Sequence, residues 1–140
     1  MSKQRDLESE RAKAAWEAVH EIVDKQNNQN IEVKAKAEKL FKEYTSLAKS
    51  APADIMSNGL GQTLAFWGAK AKENENGYSK LLKDVTNWLT DERHRLNNKG
   101  RELVKWIVGL DDMNQYRRAT SEAIAFLVWV KRFAEAEEKE

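Results

Sequence analysis

Two histidines, His20 and His94, are the only imidazoles in the chain, and there is no cysteine. His94 follows Asp91, Glu92 and Arg93, which puts acids and an imidazole close in sequence but on different faces of any helix. A metal site would need ligands at i and i+3 or i+4 converging with others from elsewhere. His94 therefore reads as a solvated helix end, and His20, next to Val19, as a boundary residue. Gly59-Leu60-Gly61 begins like a phosphate-binding loop, yet no lysine follows at the P-loop spacing. It reads as one helix stopping where another starts. There is no nucleophile elbow and no carboxylate dyad placed by a motif. An enzyme would have to work with carboxylates or lysines alone, so the reading is a protein without catalytic residues, metal or cofactor.

Binding is the chemistry left, and charge is where it shows. The 24 basic and 23 acidic residues of the 140 leave a formal net charge of +1, far from the strongly basic balance of a free-standing duplex binder. The charge is sorted, however. Residues 78–110 carry seven basic and four acidic side chains, and residues 31–50 carry five and three. The C-terminal end holds Glu135, Glu137, Glu138 and Glu140. Sorted charge permits phosphate contact without a high net charge, although the row Lys34, Lys36, Lys39 and Lys42 by itself also reads as a solvated helix face.

The elements that must carry these side chains are helices. One proline, six glycines and no cysteine in a chain of this size suit long helices better than sheets. No apolar run approaches the roughly 20 residues of a membrane span, and the first ten residues are polar, so a cytoplasmic protein is expected. Leu7, Ala15, Val19, Ile22 and Val23 predict a first helix from Asp6 to Gln26, with Ala12 and Trp16 flanking its inner face. Asn30 caps a second, Ile31 to Lys49. Pro52 opens a short helix through Met56 that ends on an αL cap at Asn58-Gly59. Leu60, Leu64, Trp67 and Ala71 mark the next helix, where the small residues Gly61, Thr63 and Gly68 allow close approach of another. Tyr78, Leu81, Leu82, Val85, Trp88 and Leu89 mark the helix after that. A short helix with Leu103, Trp106, Ile107 and Leu110 inward follows a polar connection. Asp112 then caps a last helix from Met113 to Glu138. Its inner arc holds Tyr116, Ala119, Ala123, Phe126, Leu127, Val130 and Phe133, while Ala125, Val128 and Trp129 fall among charged residues. The expectation is an all-α fold, a single compact domain over residues 1–140 with about six helices, two of them short.

Two segments go beyond generic helix. Met56 to Phe66 resembles the I-x-x-N-G-L-x-x-T-L-A-F signature of the Cmr small subunit of type III-B CRISPR effector complexes. Tyr116 to Ala136 resembles that family's C-terminal helix, Y-R-x-A-T-x-E-A-x-x-F-L-x-W-x-K-R-F-A-E-A. The two occur in the family's order, and the total length also fits. The first fifty residues match only loosely, through Arg11-Ala12 and Ala15.

The resemblance implies a small, all-helical, non-catalytic subunit in antiviral defence. Copies would stack on one another and on the backbone subunits as a minor filament beside guide RNA and bound target RNA. Target cleavage would belong to the backbone subunits and nucleotide chemistry to the large subunit. Such a filament needs sequence-independent contact with an RNA backbone, which basic side chains supply. Arg117, Arg118, Lys131 and Arg132 lie in the matched helix and Lys70 follows Phe66 by one turn; these are the first candidates. Arg93, Arg95 and Lys99 form a second group on composition alone. Trp129, with Val128 beside it, is the candidate for protein–protein packing, its alternative being burial within the chain. Two other functions remain open: a helical adaptor that binds only protein, and a carboxylate-dependent enzyme.

Overall fold

The computed structural model describes residues 3–71, 75–90 and 112–138, together with Ile107 and Gly109, with side chains from Asp6 onward. Five helices run through these residues, with no strand among them: α1 (Lys3–Gln26), α2 (Ile31–Asn58), α3 (Leu60–Lys70), α4 (Gly77–Leu89) and α5 (Met113–Glu137). The short helix expected around Trp106 lies outside the described residues except for Ile107, which is buried. Three long helices, α1, α2 and α5, pack on one another, and α4 closes the bundle against α2, α3 and α5. No helix among the described residues is long and apolar enough to cross a membrane.

Caps start α2 and α5 as their sequences predict. The Asn30 side chain accepts from the Glu32 and Val33 N–H groups, and the Asp112 side chain accepts from Asn114 N–H. At α4, Asn76 and Ser79 satisfy each other's backbone N–H groups at 2.8 and 2.9 Å, a reciprocal capping box.

At Pro52 the structure departs from expectation. The chain does not break into a second short helix there; α2 continues through the proline to Asn58. An interior proline removes one backbone hydrogen bond and costs roughly 3 kcal/mol. What offsets this is the stripe Tyr44, Ala48, Ala51 and Ile55, which carries the buried face of α2 straight past the proline, each residue at most 1% exposed. The cap at Gly59 also differs. Its φ of 88° is positive as expected, but its ψ of 154° lies outside the left-handed helical region, in a part of backbone space essentially reserved for glycine. That geometry lets α3 begin at the next residue in a new direction.

Of the small residues expected at a close helix contact, Gly61 and Thr63 are buried and Gly68 is exposed. A tight approach outside that set is at Gly77, where a Cβ would sit 2.8 Å from the backbone carbonyl carbon of Glu43. A side chain at this point would push the start of α4 off α2.

Candidate nucleic-acid and protein interface

The outward face of α5 carries most of the sequence-predicted residues. At about 100° per residue, Arg117, Arg118 and Arg132 fall opposite the buried row Ala119, Ala123, Phe126, Leu127 and Val130. All three arginines are exposed or half-exposed, and Lys131 is half-buried at the edge of the same face. Between the two arginine ends, about 21 Å apart along the helix axis, lie half-buried Ile124, Ala125, Val128 and Trp129.

Trp129 is neither free nor fully buried. It stacks on Phe133 with ring centroids 5.5 Å apart, and both pack against the core. Its outer edge, with Ala125, Val128 and Arg132 of α5 and Glu8 and Arg11 of α1, lines a groove of about 290 Å³. Trp129, Val128 and Arg132 are thus brought together in one place, while Arg117 and Arg118 stand nearer the start of α5. Lys70 lies apart on α3, where its ammonium sits 5.7 Å from the Phe66 ring centroid. Arg93, Arg95 and Lys99, and likewise His94, lie outside the described residues. His20 sits at the α1 surface stacked on Trp16, its Nδ1 2.9 Å from the Trp16 carbonyl oxygen. Among the described residues no group of three or more His, Asp or Glu side chains is placed to hold a metal ion.

Under this face the structure contains interactions that the sequence reading missed. The Arg11 guanidinium donates to both oxygens of Glu122, at 2.6 and 2.8 Å, and the Trp88 indole N–H donates to Glu122 Oε2 at 2.9 Å. One carboxylate therefore ties α1, α4 and α5. Its hydrogen bonds and charge raise the Arg11 pKa further, although burial acts against this. In sequence, Glu122 falls on the polar arc of its helix and gives no sign of its partners.

A second cluster is fully buried. Lys80 reaches Asp84 one turn on at 2.7 and 2.8 Å, and the Tyr44 hydroxyl donates to Asp84 Oδ2 at 2.7 Å. The Lys80 ammonium also donates to the Ala18 carbonyl at 3.3 Å and lies 3.5 Å from Glu21. Burial raises the Asp84 pKa above the usual carboxylate range, with the Lys80 charge opposing it. Burial, and then the charge of Asp84, holds Tyr44 well above the ordinary value of 10.0. A raised folded-state pKa gives stability that is present below the unfolded value and lost as pH rises through the folded one. Tyr44 should accordingly contribute to alkaline unfolding above about pH 10, and Tyr44→Phe should flatten that part of the stability–pH curve in urea melts. The clue in the sequence was the Lys80–Asp84 spacing of four beside the apolar face of α4.

The two signature segments also meet in space. The Gly61 N–H, one of the donors at the start of α3 that lack a partner within the helix, donates to the Tyr116 hydroxyl oxygen at 2.9 Å. Tyr116 thus fastens the start of α5 to the corner at Gly59, and its hydroxyl lies 3.6 Å from where a Gly59 Cβ would be.

Comparison with known proteins gives a match that spans both segments. The family model described as "CRISPR-associated protein (Cas_Cmr5)" matches residues 7–137. The chain is also similar to the "CRISPR system Cmr subunit Cmr5" of Thermus thermophilus, with 31% identity over 94 residues, covering 67% of this chain and 74% of that protein.

Proposed function

The chain belongs to the Cmr5 family of CRISPR-associated proteins, and from that premise we propose that it is a non-catalytic structural subunit of a cytoplasmic type III-B Cmr effector complex. In this reading copies of the chain stack beside the guide RNA, against backbone and large subunits, and the outward arginines of α5 contact RNA phosphates. The observation that carries it is the family match over residues 7–137. What the signature residues do in the fold supports it: Gly59, Gly61, Tyr116 and Glu122 all serve helix junctions, as expected of a scaffold.

Reconstitution is the test. The protein should join a complex assembled from backbone subunits and guide RNA, and failure to join would end this reading. Reversing Arg117, Arg118 and Arg132 to Glu should leave helicity intact and weaken target-RNA capture by the assembled complex. The slope of log K against log salt should fall by roughly 0.7–0.9 for each phosphate that is no longer neutralised. Unchanged capture with normal assembly would reassign these side chains.

The groove beside Trp129 favours a second reading, a helical adaptor that binds only protein, because a half-apolar groove with one outward arginine suits a protein contact better than a phosphate. Partner binding that is equal at low and high salt, with no RNA contact, would favour it.

A further inference from the structure

The sequence holds two Asn-Gly pairs, Asn58-Gly59 and Asn76-Gly77, and both fall at helix ends. In such a pair the glycine backbone nitrogen can attack the asparagine side-chain carbonyl carbon. No Cβ blocks the approach, and glycine adopts the backbone angles that closing the ring requires. Three conditions decide whether it reacts: a side-chain amide free to turn, a glycine nitrogen free to lose its proton, and room for the backbone to swing. The two pairs share one chemistry and have opposite surroundings.

At Asn76 all three conditions are withheld. Its Oδ1 accepts from the Ser79 N–H at 2.9 Å, and its Nδ2 donates to the Lys70 carbonyl at 3.0 Å. The Gly77 N–H donates to the Glu43 carboxylate at 3.3 Å, and that negative charge opposes loss of a proton from the nitrogen. Gly77 is also buried against the Glu43 backbone, which leaves no space to swing.

At Asn58 one restraint remains. This last residue of α2 is exposed, and its side chain makes no hydrogen bond among the described residues. The Gly59 N–H donates to the Ile55 carbonyl at 2.8 Å, the last bond of the helix. Helix ends open locally at far lower free energy than the whole fold, and that opening frees the Gly59 nitrogen and lets Asn58 leave its helical angles. Around Gly59 there is space. The nearest atom to a Cβ built there is the Tyr116 hydroxyl at 3.6 Å, an ordinary contact.

We propose that Asn58 is a site of spontaneous deamidation in the folded chain, forming isoaspartate, and that this change releases Gly61 from Tyr116. The Gly59 nitrogen gives up its proton to hydroxide and bonds to Asn58 Cγ. The Cγ–Nδ2 bond breaks, and the nitrogen leaves as ammonia, so a five-membered succinimide remains. One water molecule then opens the ring. Addition at Cγ breaks the new bond and gives aspartate on an unchanged main chain. Addition at the main-chain carbonyl carbon of residue 58 breaks the original peptide bond and gives isoaspartate, whose main chain runs through Cβ and Cγ. That path adds one carbon, about 1.5 Å of bond, between α2 and α3. Gly61 lies two residues beyond, and its N–H reaches the Tyr116 hydroxyl at 2.9 Å, a contact that a displacement of this size breaks.

The test keeps the full chain at mildly alkaline pH, folded in one sample and unfolded in urea in another. Digestion and mass spectrometry then locate the amide-to-acid change, and an isoaspartyl methyltransferase counts isoaspartate. In the folded chain Asn58 should react at least about tenfold faster than Asn76, since one site opens by fraying and the other only with its capping box. In urea the two should react at similar rates. Asn58→Gln, which must close a larger ring, should remove the product at this position. Amide hydrogen exchange at Gly61 should be at least about tenfold faster in the isoaspartate fraction than in Asn58→Asp, which carries the same charge on a main chain of normal length. Equal reaction at Asn58 and Asn76 in the folded chain would overturn the proposal. So would an Asn58 that stays intact while the unfolded chain reacts at both sites, a product without isoaspartate, or Gly61 exchange in that fraction as slow as in Asn58→Asp.

Discussion

Lys80→Met is expected to lower the stability of the fold by about 3–5 kcal/mol, because it leaves the Asp84 carboxylate buried without its cation. Asp84 is 5% exposed and has Lys80 and Tyr44 as its hydrogen-bond partners. Once the ammonium is gone, the tyrosine hydroxyl still donates to the charge, and the nearby Glu21 carboxylate disfavours it. Burial already raises the Asp84 pKa against the opposing pull of Lys80, so removing Lys80 raises it further. The deficit should therefore be smallest below the ordinary carboxylate value of 3.8 and grow as pH rises toward neutrality, since a raised folded-state pKa removes stability in that direction. Urea unfolding followed by circular dichroism at pH 4 and pH 7 measures both. The double change Lys80→Met with Asp84→Leu should recover most of the loss, because replacing both members of a buried pair removes the desolvation penalty along with the attraction. A double variant as unstable as the single one would mean that the cluster contributes more than charge pairing.

Glu122→Ala should cost about 1.5–3 kcal/mol, the range for hydrogen bonds to a charged group. Its side chain is 13% exposed and that of Arg11 17% exposed, so water replaces the missing bonds poorly. The change removes two charge-assisted bonds from Arg11 and one from the Trp88 indole at once. The clean readout is the double-mutant cycle with Arg11→Met, whose coupling energy isolates the pair from the rest of the junction. Glu122→Ala should also loosen the groove beside Trp129, since Arg11 lines that groove. A fall in complex assembly together with stability would be the signature. Helix content should change little, because α5 is held along its other face by Phe126, Leu127 and Val130, each at most 1% exposed.

The expected helix ends lie close to the observed ones where a cap or a clean period marks them. The second half of α2 is instructive because the information was present: Tyr44, Ala48, Ala51 and Ile55 continue one stripe through Pro52. A local rule about proline outweighed it. Tertiary burial reversed that balance, since the packing of Ala51 and Ile55 compensates for a missing hydrogen bond. Gly77 shows the opposite case. It ends a polar stretch in the sequence, and only the proximity of the Glu43 backbone shows why no side chain fits there.

For the candidate interface the division is sharper. The positions of Arg117, Arg118, Arg132, Val128 and Trp129 on one outward face follow from helical periodicity, as does the inner row that holds α5 in place. Which face is inward depends on apolar spacing, and spacing is a property of the chain alone. Pairings across helices depend on how three helices are packed and rotated against one another. That is why Arg11, 111 positions from Glu122, finds it through the fold, why Tyr116 finds Gly61, and why Lys80 is buried rather than solvated. The sequence by itself determined the helices, their inner faces and the family to which they belong. Tertiary structure alone decided which polar side chains became internal ties and which stayed at the surface, because burial and partner distance exist only once separate helices meet.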